Sequence, residues 1–97
     1  MIRFRPANAE DVPAVVALLT DDVLGAGRER QADAAYLAAF HRMRDEGHNH
    51  LIVGEDGDRI VATYQITFIS GLSLRAARRA QVESVRVASD LRGRGIG

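Results

Sequence analysis

The sequence predicts one α+β domain of the three-layer α/β type, ordered β-α-α-β-β-β and followed by a glycine-rich loop. Three observations predict it. Two stretches of helical periodicity follow a short strand-like start. Three strand-like runs then succeed one another with turn residues between them, as in an antiparallel meander. The last eight residues carry three glycines alternating with larger side chains. A chain of 97 residues suffices for a single domain, residues 1–97, and not for two.

Residues 2–5 alternate apolar and charged side chains, the pattern of a half-buried strand, and Pro6 stops it. Asn8 is suited to cap a helix with Glu10 and Asp11 in its first turn, where acids complement the dipole. Val12, Val15, Val16, Leu19 and Val23 then form one apolar stripe on a helix expected to end near Gly25. The polar segment 25–31 reads as a loop. Asp33 can cap a second helix, with Tyr36, Phe40 and Met43 on one face and Gly47 just past its end.

Leu51, Ile52 and Val53 form a buried-type strand. Residues 55–58, Glu-Asp-Gly-Asp, form a hairpin turn in which the Asp-Gly pair supplies positive φ. In the next strand Ile60, Ala62, Tyr64, Ile66 and Phe68 point one way, and Val61, Thr63, Gln65, Thr67 and Ile69 the other. Ser70 and Gly71 end it, and a connection over 72–79 carries Arg75, Arg78 and Arg79. A last strand over 80–87 is expected to hold Gln81, Glu83, Val85 and Val87 on one face.

Thirteen basic residues balance thirteen acidic ones. A dedicated nucleic-acid binder needs a basic excess to displace counterions, so the balance argues against that class. The chain has no cysteine, which rules out a disulfide scaffold, a thiolate metal site and a cysteine nucleophile. The start lacks the apolar core of a signal peptide and no apolar run is long enough to span a bilayer, so a cytoplasmic, non-membrane protein is expected.

The glycines carry the functional signal. Without a Cβ, the backbone can approach a ligand closely and turn its N–H groups into a nest for phosphate. A P-loop would require Gly-Lys-Ser/Thr, and a dinucleotide fold G-x-G-x-x-G with chain beyond it, and neither matches. On their own, the glycines fit equally a phosphate loop or a basic arginine-glycine tail that touches RNA.

In context they resemble something more specific. The segment 85–97, Val-Arg-Val-Ala-Ser-Asp-Leu-Arg-Gly-Arg-Gly-Ile-Gly, resembles the acetyl-CoA signature of the GCN5-related N-acetyltransferases: a strand, a spacer, then Arg/Gln-x-x-Gly-x-Gly/Ala. Arg92, Gly95 and Gly97 fill the signature positions, and the upstream order of elements fits the same family. The resemblance implies an incomplete acyl-CoA N-acyltransferase fold and an enzyme that passes the acetyl group of acetyl-CoA, as co-substrate, to a primary amine of a small molecule or peptide. It implies that backbone groups of Val85, Arg86 and Val87 pair with the pantetheine arm. It further implies that the amides of Arg92, Gly93, Arg94, Gly95, Ile96 and Gly97 hold the pyrophosphate, with Arg94 adding charge.

Glu83 stands where several family members place a carboxylate. The resemblance gives it the role of catalytic base, since only a neutral amine attacks a thioester; the other reading is an ion pair with Arg78 or Arg79. Gln81 is its nearest polar companion on the strand. The family places a general acid, often a tyrosine, beyond residue 97, and uses the loop between the two helices to line the acceptor site. The chain is therefore expected to be C-terminally truncated, inactive as it stands, and prone to form homodimers or larger associations through its last strand. The second functional class is a non-catalytic or degenerate fragment acting as a folding or binding module. No metal is expected: His48 and His50 form an H-x-H pair, but His41 has no fixed relation to them, and metal binding needs a third ligand. Arg75, Arg78 and Arg79 read as a solvated loop, and Tyr64 and Phe68 as core or pocket wall.

Overall fold

The computed structural model describes residues 1–20 and 33–91. A four-stranded antiparallel sheet, in the order β1-β2-β3-β4, is built from Ile2–Pro6 (β1), Asn49–Asp56 (β2), Arg59–Ser70 (β3) and Arg78–Val87 (β4). Helices Val12–Leu19 (α1) and Asp33–Glu46 (α2) lie between β1 and β2 in the chain. The predicted α+β layout and the antiparallel meander are therefore present.

Asn8 caps as expected, but it caps a 3-10 turn, Ala9–Asp11, that leads into α1. Its Oδ1 accepts from the Glu10 amide at 2.9 Å, and Asp11 Oδ2 accepts from the Asn8 amide at 2.8 Å, a reciprocal capping box. The helix ends at Leu19, short of the expected end near Gly25, and Val23, Gly25 and the predicted loop 25–31 lie outside the described residues. Its buried side chains are Val12, Val15, Val16 and Leu18, so Leu18 takes the place that the stripe gave to Leu19. The second helix starts at Asp33 itself, and Gly47, at φ +83°, follows its end.

Both helices pack on one face of the sheet. Val12, Val16 and Phe40 form a cluster with Tyr36 and Leu51, and Leu18 meets Val61 and Ala88. Residues paired across antiparallel strands share a face. Leu51 pairs with Gln65, and Gln65 with Glu83, so these three run in a row across the helix-bearing face. Phe4, Gly54, Ala62 and Val87 form a row on the opposite face.

The hairpin after β2 is as predicted in place but tighter. Asp56 pairs with Arg59, leaving Gly57 and Asp58 as its two central residues, and of these Gly57 alone has positive φ, +64°. A glycine at the first central position is the requirement of a type II′ turn. Two bulges correct the predicted faces. Between Gly54 and Glu55 the register of β2 against β3 shifts, Val61 being the extra residue. Ile60, expected beside Ala62, therefore packs with Leu18 and Val61 on the helix side.

In β4 two residues, Ser84 and Val85, oppose the single Tyr64, and Ser84 takes φ +55°. An extra residue inverts the alternation beyond it. Gln81 and Glu83 keep one face, but Val87 moves to the other, and Arg86 takes the place on Glu83's face. The expected grouping of Gln81, Glu83, Val85 and Val87 therefore does not hold.

Between β3 and β4 an exposed turn, Ser73–Ala76, holds Leu74, Arg75 and Ala76 at φ +53°, +60° and +64°.

Candidate functional site

The bulge divides β4 into two parts. Up to Glu83 the strand pairs regularly with β3; beyond it Arg86 and Val87 pair with Thr63 and Ala62 in a shifted register. Beside the bulge lies an open cavity of about 280 Å³, walled by Phe4, Tyr64, Ile66, Val82, Val85 and Val87. The rings of Phe4 and Tyr64 stand 6.2 Å apart at its floor. Gly54 lies under Phe4: a Cβ built there would come within 2.8 Å of the ring and 3.2 Å of Ala62 Cβ. Tyr64 is thus pocket wall, one of its two predicted roles.

Glu83 is exposed, on the face opposite Val82 and Val87. Its Cα partner is Gln65, and among the described residues it forms no ion pair with Arg78 or Arg79. Arg78 instead stacks its guanidinium over Phe68 at 4.9 Å. The strand therefore presents a carboxylate on one side and an apolar wall on the other, with the irregular backbone of Ser84 and Val85 between them. The Val85 carbonyl accepts from the Arg86 guanidinium at 3.0 Å, so this part of the edge already holds a polar side chain against its backbone.

Beyond Val87 the chain is steered by three contacts. Ala88 is buried and its amide donates to the Val61 carbonyl at 2.8 Å. Ser89–Leu91 form a 3-10 turn, and Asp90 receives Arg59 in a two-pronged pair at 2.8 and 3.0 Å, which holds the guanidinium pKa above its ordinary value. These contacts tie the start of β3 to the point where the glycine segment begins. Arg92, Gly93, Arg94, Gly95, Ile96 and Gly97 lie outside the described residues.

A second anchor holds the opposite edge. Arg5 Nη1 and Nη2 reach Asp11 Oδ2 and Oδ1 at 2.8 and 3.0 Å, and Arg5 Nε reaches Glu55 Oε1 at 3.2 Å. The Arg5 hydrogen bonds hold the buried Asp11 carboxyl below the usual carboxylate range, and Asp11 in turn raises the guanidinium. This triad is not legible in the sequence, because its members are brought together only by strand pairing. The β4 bulge is only faintly legible there: Val82, Val85 and Val87 carry its trace, as the apolar spacing changes from three to two. His50 packs edge-on against Phe68 at 5.6 Å and His41 against Phe40 at 5.9 Å, on different elements.

Among the described residues no helix is long and apolar enough to cross a membrane, which says nothing of membrane β-barrels.

This arrangement is found in known proteins. The chain is similar to the crystal structure of a transcriptional regulator from Bacillus halodurans C-125, at 36% identity and TM-score 0.88 over 99% of this chain and 66% of that one. It shares its fold with a glucosamine-6-phosphate N-acetyltransferase from Arabidopsis thaliana (19% identity, TM-score 0.77, 99% and 66% of the two chains). The same holds for a predicted acetyltransferase from Clostridium acetobutylicum solved with acetyl-CoA (21% identity, TM-score 0.71, 99% and 66%). The chain thus spans just under two thirds of the length of these relatives. No curated protein matches it. The family model for acetyltransferases of the GNAT type matches residues 9–97, nearly the whole chain, and the protein belongs to the acetyltransferase (GNAT) family.

Proposed function

We propose that this chain is the cofactor-binding portion of an acetyl-CoA-dependent N-acetyltransferase that acts on a primary amine of a small molecule or peptide. The observation that carries the reading is the bulge at Ser84 and Val85. It breaks the ladder just before Val85, where the resemblance begins the pantetheine pairing, and sets Val87 on the face opposite Glu83, beside Val82. Polar backbone at the edge with an apolar surface beside it fits a pantetheine arm, which carries amides on an aliphatic chain. The likeness to an acetyltransferase solved with acetyl-CoA supports the same reading.

In this reading the backbone of Val85, Arg86 and Val87 binds the pantetheine as an added strand. The amides of Arg92, Gly93, Arg94, Gly95, Ile96 and Gly97 bind the pyrophosphate, with Arg94 contributing charge. Arg59 and Asp90 position that segment, since their pair holds the turn from which it leaves the sheet. Glu83 faces the side on which the helices pack, and takes the proton from the acceptor ammonium directly or through water. The neutral amine then attacks the acetyl carbonyl; a C–N bond forms, the C–S bond breaks, and the thiolate of CoA leaves and takes up a proton. No residue of this chain is assigned as the donor of that proton.

The test is a titration of the chain with acetyl-CoA followed by NMR. Saturable shifts of the Val85, Arg86 and Val87 amides are expected, and Gly95→Val abolishes them, because a β-branched side chain blocks the approach of phosphate. Binding that survives Gly95→Val overturns the assignment of the loop. In a chain carrying the family's whole length, Glu83→Gln lowers kcat about a hundredfold at neutral pH and leaves acetyl-CoA affinity unchanged. An unaltered rate and pH profile would return Glu83 to a structural role. A chain that binds acetyl-CoA but transfers nothing at full length would be a binding module.

A further inference from the structure

Arg75, Arg78 and Arg79 are neighbours in the sequence, and the fold separates them. Arg75 lies in the exposed turn before β4. Arg78 pairs with Ser70 on the face opposite Glu83, where its guanidinium covers the Phe68 ring at 4.9 Å. Arg79 pairs with Ile69, Gln81 with Thr67 and Glu83 with Gln65, in unbroken register. Arg79, Gln81 and Glu83 therefore stand in one line on the helix-bearing face. Arg86 shares that face beyond the bulge, but its guanidinium is engaged by the Val85 carbonyl at 3.0 Å. Among the described residues Arg79 has no ion-pair partner, and it does not pair with Glu83. The neighbouring polar groups bond to one another: Thr67 Oγ1 donates to Asn49 Oδ1 at 2.7 Å, and Asn49 Nδ2 to Glu46 Oε1 at 2.7 Å. The Cα atoms of Arg79 and Glu83 lie roughly 13 Å apart, four residues of extended strand, with Gln81 between them. At that spacing the guanidinium and the carboxylate bracket a ligand.

We propose that Arg79 selects the acceptor: the amine meets Glu83, and an anionic group at the far end of the same molecule is held by Arg79, with Gln81 hydrogen-bonding the stretch between. The proposal rests on the reading of Glu83 as the group that takes the acceptor's proton. On that reading the acceptor has to reach Glu83, so the face around it is accessible by function and not by the extent of the chain. A guanidinium matches two oxygens of a carboxylate or phosphate with its forked N–H groups. An α-amino acid fits poorly, because its carboxylate lies beside the amine and would meet Glu83. A diamine fits poorly as well, because its second cation would face Arg79. The substrate class is therefore a primary amine with an acidic group several bonds away, an ω-amino acid or an amino phosphate. Arg79 only binds and takes no part in moving the proton or the acetyl group.

The test compares acceptors of similar length in a chain carrying the family's whole length: aminocaproate, its neutral amide and the matching diamine, with an aminoalkyl phosphate to tell carboxylate from phosphate. The better of the two anionic acceptors is expected to exceed the neutral amide at least about tenfold in kcat/KM, and the diamine to fall below it. The advantage should lie in KM and shrink with salt. Arg79→Gln is expected to bring the acceptors to one level, and Arg79→Glu to turn the preference toward the diamine. A merely structural role for Arg79 would change every rate by the same factor and overturn the proposal. So would equal kcat/KM for charged and neutral acceptors, and either result leaves Glu83 as base intact. NMR titration of the 97-residue chain with aminocaproate reads binding without turnover. Shifts of Arg79 Nε and the Gln81 carboxamide are expected, and Arg79→Gln abolishes the second. Such shifts in a protein that acetylates nothing would uphold the anion site and overturn the acetyltransferase reading; absent shifts in such a protein would overturn both.

Discussion

The two faces of the sheet are built from the same strands and have opposite fates. On the helix-bearing face Val53 and Val61 are both 0% exposed and Thr63 is 2% exposed. The Thr63 hydroxyl is satisfied there by donating to the Ile52 carbonyl at 2.9 Å. On the other face Phe4 is 47% exposed, Val82 53% and Val85 49%, although these residues are as apolar as those beneath the helices. Hydrophobicity alone therefore does not decide burial in this chain. What decides it is which side α1 and α2 cover, and that side is set by the Asn8 cap and the Arg5–Asp11–Glu55 triad, which hold the start of α1 against β1 and β2. The exposed face keeps its apolar side chains in the open, along the wall of the cavity beside the bulge.

The largest effect expected of this contrast comes from placing a carboxylate on each face in turn. Val53→Asp buries a charge without a partner and should leave the chain unfolded at room temperature. Val85→Asp should keep the circular dichroism spectrum and melt within a few degrees of the wild type. Equal losses at the two positions would erase the distinction between the faces.

Next in size is the triad. Asp11→Asn removes the charge that Arg5 grips and weakens the cap on the Asn8 amide, at a cost on the order of 2 kcal/mol in urea unfolding. The pH dependence sharpens this. Asp11 titrates lower in the folded chain than in the unfolded one, so its contribution is fully present above the ordinary aspartate value of about 3.9 and is lost as pH falls through the folded value. The wild-type and Asp11→Asn stability curves should therefore converge on acidification, and parallel curves down to low pH would show that the pair does not stabilise the fold.

Smaller still is Gly54→Ala. Its Cβ collides with the Phe4 ring, which can swing outward, and presses on Ala62, which cannot, so a loss of about 1 kcal/mol is expected. The smallest is Val85→Ser on the open face, within about 0.5 kcal/mol by the same measurement. It should also lower the binding of a hydrophobic dye, since the side chain is one wall of the open cavity. Unchanged dye binding would mean that the cavity is not the exposed apolar surface of the molecule.

The order of elements, the Asn8 cap, the end of α2 at Gly47 and the hairpin at Gly57 were all determined by the sequence alone. Each depends on interactions within a few residues: a side chain reaching its own helix start, a glycine adopting positive φ, an alternation along one strand. The family was legible for the same reason, because its signature is a local run from Val85 to the glycines. The candidate site was only half legible. Glu83 and Val87 share a period on paper, but the extra residue at Ser84 puts them on opposite faces, and a bulge exists only relative to the strand that pairs with it. The same holds for Ile60 beside Val61, and for Arg5, whose partners lie six and fifty residues away. Tertiary structure decided these features because strand register and helix docking are chosen by contacts distant in the chain, which no local pattern encodes.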